Sequence, residues 1–192
     1  MRKWILLLCL LLAASLPAVA DSGALRVDFS PYCDVPILLY AVARQNAQGN
    51  LVFAEPFTGC DADISDRTAQ GQTQAARSLA AWAEEKALTP DCLCDTDEAG
   101  NAAFEDLSPG LYLVSAQPFR IGTQVVTANP FLVHLPSVDA AGQVHWTLTA
   151  QMKFTVQPDD PDSPDTGPST MAVAGLILAA GALFTMRKRE KT

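Results

Sequence analysis

Basic residues, histidines and reactive motifs are scarce in this chain. Lys and Arg number 13 against 21 Asp and Glu, a net charge of −8. Residues 21–166 are more one-sided, with 7 Lys+Arg, 20 Asp+Glu and a net of −13. Such an acidic surface disfavours nucleic acid and anionic lipid as partners and keeps the exterior solvated. The only histidines are His134 and His145. There is no HExxH, no GxSxG and no phosphate loop, so no catalytic constellation, cofactor or metal site is expected. Asp95-x-Asp97-x-Ala99-Gly100 approaches a calcium loop. Ala99 fails the fifth position, however, and Asp106 stands where a bidentate Glu is needed, so a hairpin turn is expected there. No internal repeat is evident.

The N-terminus reads as an export signal over residues 1–20. Arg2 and Lys3 are basic, Trp4 to Ala14 is apolar, and Ala18-Val19-Ala20 offers a small-x-small cleavage site before Asp21; the alternative is an uncleaved anchor. Export implies an oxidising space. There Cys33, Cys60, Cys92 and Cys94 form an even set, which suggests two disulfides with three connectivities open. Cys92 and Cys94 are one residue apart and a bridge between them would be strained. Each is therefore expected to reach elsewhere, or one bridge forms and leaves a spare pair. A zinc site lacks the usual paired CxxC spacing.

Between residues 21 and 157 the apolar runs are short, β-rich and separated by turn residues. Leu25 to Phe29 alternates as a half-buried strand does, and Ile37 to Val42 is continuous, which suits a central strand. Gln48-Gly49-Asn50 turns the chain into Leu51-Val52-Phe53. Further strands are expected at Ala102 to Phe104, Leu111 to Val114, Arg120 to Thr127, Pro130 to Leu135, and from Val144 through to Val156. One helix is expected over 68–88. Ala75, Leu79, Trp82 and Lys86 form a stripe, Ala76, Ala83 and Ala87 lie beside it, and Thr89-Pro90 ends it. Seven or eight strands with one helical insertion predict a mainly β protein, a β-sandwich whose helix lays Leu79 and Trp82 on a sheet or loop.

From Gln157 the composition shifts to Pro and Asp, as in an extended stalk over 158–167. Ser163-Pro164-Asp165-Thr166-Gly167 is followed by an apolar segment, 168–186, and a basic tail, 187–192, that carries Arg187-Lys188-Arg189. The uncharged stretch Met171 to Met186 is sixteen residues, about 24 Å of helix at 1.5 Å per residue. It is a short transmembrane helix, its basic tip on the cytoplasmic side, and better suited to a pause in export than to a permanent anchor.

Pentapeptide, apolar run and basic tail in this order resemble the cell-wall sorting signal of Gram-positive surface proteins, the LPxTG type. Pro164, Thr166 and Gly167 occupy the family's positions, and Ser163 replaces its leucine. The resemblance implies that a sortase attacks the Thr166 carbonyl and passes the acyl group to an amine on a peptidoglycan precursor or pilin subunit. The stretches LLYAVA with Gly49-Asn50, LAAWAEEKALTP, GNAAFEDLSPGLYLV and NPFLVHLP are similar to pilin domains of the Cna-B, or prealbumin-like, group. Many such domains carry a Lys–Asn isopeptide bond. Here the first strand has no lysine and Ser115, Ala116 and Gln117 follow Tyr112 and its strand, so none is expected. Lys153 sits near where shaft pilins carry their acceptor lysine, the other reading being an exposed strand lysine. The resemblance thus implies an exported, wall-anchored surface protein, a sortase substrate with a minor pilin role. The alternatives are an adhesin module that binds a host or neighbouring-cell protein, and a plain single-pass ectodomain.

Overall fold

A computed structural model describes residues 22–46 and 48–159. Strand β2 (Pro36–Gln45) organises it, because both of its faces are covered. Ile37 and Leu39 face one apolar core; Tyr40 and Val42 face another. A strand buried on both sides loses the alternation of a half-exposed one and reads as a continuous apolar run, as Ile37 to Val42 does.

β2 lies at the centre of a five-stranded sheet. On one side it pairs with β6 (Gly110–Ala116), which pairs in turn with β9 (Phe131–Leu135). On the other side two short strands share its length: β4 (Cys92–Asp95) pairs with Pro36 to Leu39, and β3 (Leu51–Phe53) pairs with Ala43 to Gln45. The gap between them leaves the N–H of Ala41 without a strand partner there, and the Asp91 carboxylate accepts its hydrogen bond at 2.8 Å. A register shift between Ala41 and Ala43 turns Ala43 toward the same core as Val42. Opposite this bulge, a Cβ on Gly110 would stand 2.7 Å from the Ala43 carbonyl oxygen, so only glycine fits.

Beneath the central sheet lie two three-stranded sheets. In the first, β1 (Gly23–Asp28) runs parallel to β12 (Thr147–Gln151) and antiparallel to β5 (Asn101–Leu107). In the second, β8 (Gln124–Ala128) lies between β7 (Phe119–Ile121) and β13 (Phe154–Pro158), antiparallel to both. The small hairpin β10 (Ser137–Val138) with β11 (Val144–His145) stands apart from these ladders. The larger core joins Leu25, Val27 and Phe29 of the β1 segment to Ile37 and Leu39, Tyr112 and Val114, and Val126.

The helix α1 (Ala69–Glu85) covers the opposite face of the central sheet. Ala76, Leu79 and Ala83 meet Tyr40, Val42, Leu111 and Leu113 there. Thr68 caps it, its hydroxyl accepting from the Gly71 N–H at 3.0 Å. The helix closes three residues earlier than the alanine pattern suggests, because Ala87 turns into the left-handed region at φ 48° and its N–H returns to Glu84. Ala87 therefore leaves the stripe that Ala75, Ala76, Leu79 and Ala83 keep buried.

The architecture is mainly β with one helix, as expected. Among the described residues there are thirteen strands rather than seven or eight. Arg120 to Thr127 is a hairpin, not one strand, because Gly122 takes φ 58° and folds β7 onto β8. Val144 to Val156 is broken into β11, β12 and β13, which belong to three different sheets. Met152, 2% exposed, fills the core at the crossing from β12 to β13, so the alternation continues while the pairing changes partner. The expected signal peptide, the sorting pentapeptide Ser163 to Gly167, the apolar segment and the basic tail lie outside the described residues.

Candidate functional site

The described part of the candidate site is the end of the folded domain, from Lys153 to Asp159. Met152 is held by its own burial and by its N–H, which donates to the Asp28 carbonyl at 2.8 Å. The Lys153 carbonyl accepts from the Asn129 N–H at 2.7 Å. The backbone at Lys153 is therefore fixed on both sides while its side chain is exposed, with no ion-pair partner among the described residues. Phe154 then enters an aromatic cluster, its ring centroid 4.8 Å from Tyr32 and 5.5 Å from Phe29. β13 pairs with β8 from Phe154 opposite Ala128 to Pro158 opposite Gln124. Asp159 is tied twice: its N–H donates to the Thr123 carbonyl at 2.7 Å and its carboxylate meets the Arg120 guanidinium at 2.8 Å. The Arg120 side chain is 70% exposed, so that ion pair is worth under about 1 kcal/mol. The folded domain is thus held through Asp159, four residues before Ser163 in the sequence.

Lys86, the other lysine among the described residues, is differently placed. Its ammonium lies 2.9 Å from Glu85 and 4.9 Å above the Trp82 ring. Neither lysine belongs to the larger core. The core-facing positions of β1, β6 and the β12 segment carry Leu25, Val27, Tyr112, Val114, Leu148, Ala150 and Met152, all without an amine or amide side chain.

The four cysteines among the described residues, Cys33, Cys60, Cys92 and Cys94, are thiols in this structure. Cys92 and Cys94 stand on the same face of β4, opposite Leu39 and Ile37, and pack against the larger core. Cys60 is buried in the helix-side core. The central sheet separates it from Cys92 and Cys94. Cys33 is exposed in the loop between β1 and β2.

Other residues singled out in the sequence have structural places. The Asp97 carboxylate accepts from the N–H groups of Ala99 and Asn101 at 2.9 and 2.8 Å, which makes the Asp95 to Gly100 stretch a capped turn. Gly100 at its corner has φ 83°, and a Cβ there would stand 2.7 Å from the Cα of Ser30. In the Gly100 to Val114 stretch, Phe104 and Leu107 enter the core, and the Tyr112 hydroxyl donates to the Ser108 carbonyl at 2.6 Å. His145 meets the Asp139 carboxylate at 3.0 Å across the small hairpin, and that contact is the first cause of a lowered Asp139 pKa. His134, on the helix-facing side of β9, is held below its ordinary pKa, first by burial and then by the Arg67 charge.

Three features were not read from the sequence: the carboxylate of Asp91 on β2, the buried Thr96, and a cleft beside α1. Thr96 receives the Val35 N–H and donates to the Tyr32 carbonyl, which locks the start of β2 to the end of β4. A lone Asp after the Thr89-Pro90 helix stop is the only trace of the first.

No known family profile and no curated protein matches the chain. Among solved structures, its fold is similar to that of Gram-positive pilins. The T6 backbone pilin of Streptococcus pyogenes matches at 16% identity over 70% of this chain and 28% of its own length, with a TM-score of 0.47. The major pilin SpaD of Corynebacterium diphtheriae matches at 20% identity over 70% of this chain and 30% of its own, with a TM-score of 0.43. The SpaA pilin of the same organism, solved in complex with a signal peptide, matches at 16% identity over 68% of this chain and 95% of its own, with a TM-score of 0.39. The chain therefore spans under a third of the length of the first two.

Proposed function

We propose that this chain is an exported Gram-positive surface protein which a sortase cleaves between Thr166 and Gly167 and joins through Thr166 to an amine. The observation that carries the reading is the order of Ser163-Pro164-Asp165-Thr166-Gly167, the uncharged run Met171 to Met186 and Arg187-Lys188-Arg189.

The chemistry is an exchange of amides. The sortase thiolate adds to the Thr166 carbonyl, the Thr166–Gly167 bond breaks, and Gly167 leaves as a protonated amine with the apolar segment. A thioester is left on Thr166. An amine of a peptidoglycan precursor or a pilin lysine then displaces the thiol and forms a new amide. In this reading residues 1–20 are the signal peptide, 168–186 the temporary brake and 187–192 the cytoplasmic tip; the prealbumin-like domain expected over 21–157 extends to Asp159, because Pro158 still pairs with β8 and Asp159 is tied to Thr123 and Arg120, so the stalk expected over 158–167 starts after it.

Fractionation tests the reading. In a strain with active sortase, muralytic enzymes release the wild-type protein, whereas Thr166→Ala leaves it extractable by detergent alone. Detergent release of the wild type from such cells would make it a plain membrane protein. Lys153 and the size of the released species separate three structural roles. Loss of high-mass ladders in Lys153→Ala assigns a shaft subunit; unchanged ladders assign an end subunit, and a single released species assigns a wall-anchored monomer.

A further inference from the structure

A cleft of about 600 Å³ opens between the C-terminal half of α1 and the ends of β2 and β6. There Leu38 and Ser115 of the central sheet are only partly covered. Leu38, Ala83 and Leu88 form its apolar walls, and Tyr40, Glu84, Ser115 and Gln117 supply its polar groups. Tyr40 is the informative residue. It is only 6% exposed, its ring packs against Phe57 at 6.2 Å, and burial raises its pKa. No hydrogen-bond partner for its hydroxyl exists among the described residues, although every fully buried side-chain N or O atom there is satisfied. The hydroxyl is therefore at the cleft surface, neutral and available.

The cleft also has a sign. Glu84 has no ion-pair partner among the described residues. The cleft lies at the carbonyl end of α1, whose last turn holds no basic residue, and a helix C-terminus carries partial negative charge. The nearby ammonium of Lys86, the capping residue, turns to Glu85 and Trp82. No lysine, arginine or histidine lines the cleft.

We propose that this cleft takes a basic side chain, a lysine or arginine, from an extended segment of a partner protein. The alkyl stem lies on Leu38, Ala83 and Leu88. The charged head donates to the Tyr40 hydroxyl and the Glu84 carboxylate. The acidic balance of residues 21–166 disfavours a second copy of this chain as the source and favours a basic partner. The inference uses no residue of the proposed sorting segment and does not rest on the proposed function.

The test uses the full-length protein in mild detergent, labelled for NMR. It is titrated with acetyl-Gly-Lys-Gly-amide, acetyl-Gly-Arg-Gly-amide and the neutral acetyl-Gly-norleucine-Gly-amide. The lysine or arginine peptide is expected to shift the signals of Leu38, Ala83 and Ser115 saturably, and the stronger of the two identifies the head group. Removing a hydrogen bond to a charged group weakens binding about tenfold, so Glu84→Gln is expected to do so. Tyr40→Phe keeps the ring and is expected to weaken binding about threefold to tenfold. Added salt is expected to weaken wild-type binding as well. Equal shifts with the norleucine peptide, shifts confined to the region of Asp61, Asp63 and Asp66, or unchanged affinity in both variants would overturn the proposal.

Discussion

Truncating Leu79 to alanine measures how much α1 contributes to the domain. Leu79 is completely buried, on the helix side of the central sheet, against Val42, Leu111 and Leu113. Deleting a buried leucine side chain beyond Cβ removes its transfer free energy and leaves a cavity, together 2–5 kcal/mol in other proteins. The neighbours that could relax into the space are fixed β-ladder positions on β2 and β6, so a value of about 3 kcal/mol is expected. For a domain of about 140 residues this corresponds to a fall of roughly 10 °C in Tm. Urea unfolding of residues 22–159, followed by tryptophan fluorescence and by far-ultraviolet circular dichroism, reads the change as a lower midpoint with an unchanged slope. Coincident curves from both probes are expected, since the helix-side core shares β2 and β6 with the larger core. A loss under about 0.5 kcal/mol, the range of ordinary surface substitutions, would refute the packing of α1 on the sheet.

Three further outcomes follow from the structure. Thr68→Ala removes the hydroxyl that caps Gly71 and is expected to destabilise by about 1 kcal/mol, with Thr68→Ser restoring most of it; urea titration reads both. His134 is held below its ordinary value of 6.5, so below that pH the unfolded chain takes up its proton before the folded one. Stability is therefore lost as pH falls from about 6.5 to the lowered folded value, and the loss levels off below it. His134→Gln is expected to flatten that part of a stability–pH profile, and an unchanged slope would contradict the burial of the ring. Cys60 lies across the central sheet from Cys92 and Cys94, so in the oxidised protein it is expected to remain a thiol that iodoacetamide labels only after unfolding; peptide mass mapping that finds it bridged to either would contradict the sheet.

The elements that read clearly in the sequence are those whose local pattern matches their surroundings. Ile37 to Val42 is continuous because two cores flank it, and Leu25 to Phe29 alternates because one does. The helix start is legible at Thr68, where the hydroxyl caps. Its end is less so, because Ala87 adopts a left-handed φ that glycine or asparagine ordinarily signals. β4 escaped notice: Cys92-Leu93-Cys94-Asp95 is four residues long, and only its pairing with the first half of β2 makes it a strand. The breaks between β11, β12 and β13 are hidden for a related reason. Met152 keeps the alternation going at the residue where the chain changes sheets, and side-chain period carries no information about which strand is the neighbour. The cleft beside α1 is a tertiary feature, built from β2, β6 and a helix that stops short. The proposed sorting segment lies outside the described residues, and its reading rests on the order of Ser163 to Gly167 alone.

On the proposed reading, Thr166 becomes the last residue of the mature protein and is bonded to an amine. Mass spectrometry of the C-terminal peptide, recovered from purified cell wall after digestion, tests it directly. A peptide ending at Thr166 with a wall or pilin fragment attached by an amide is expected. A peptide that continues through Gly167 into Arg187-Lys188-Arg189, from cells whose sortase is active, would contradict it.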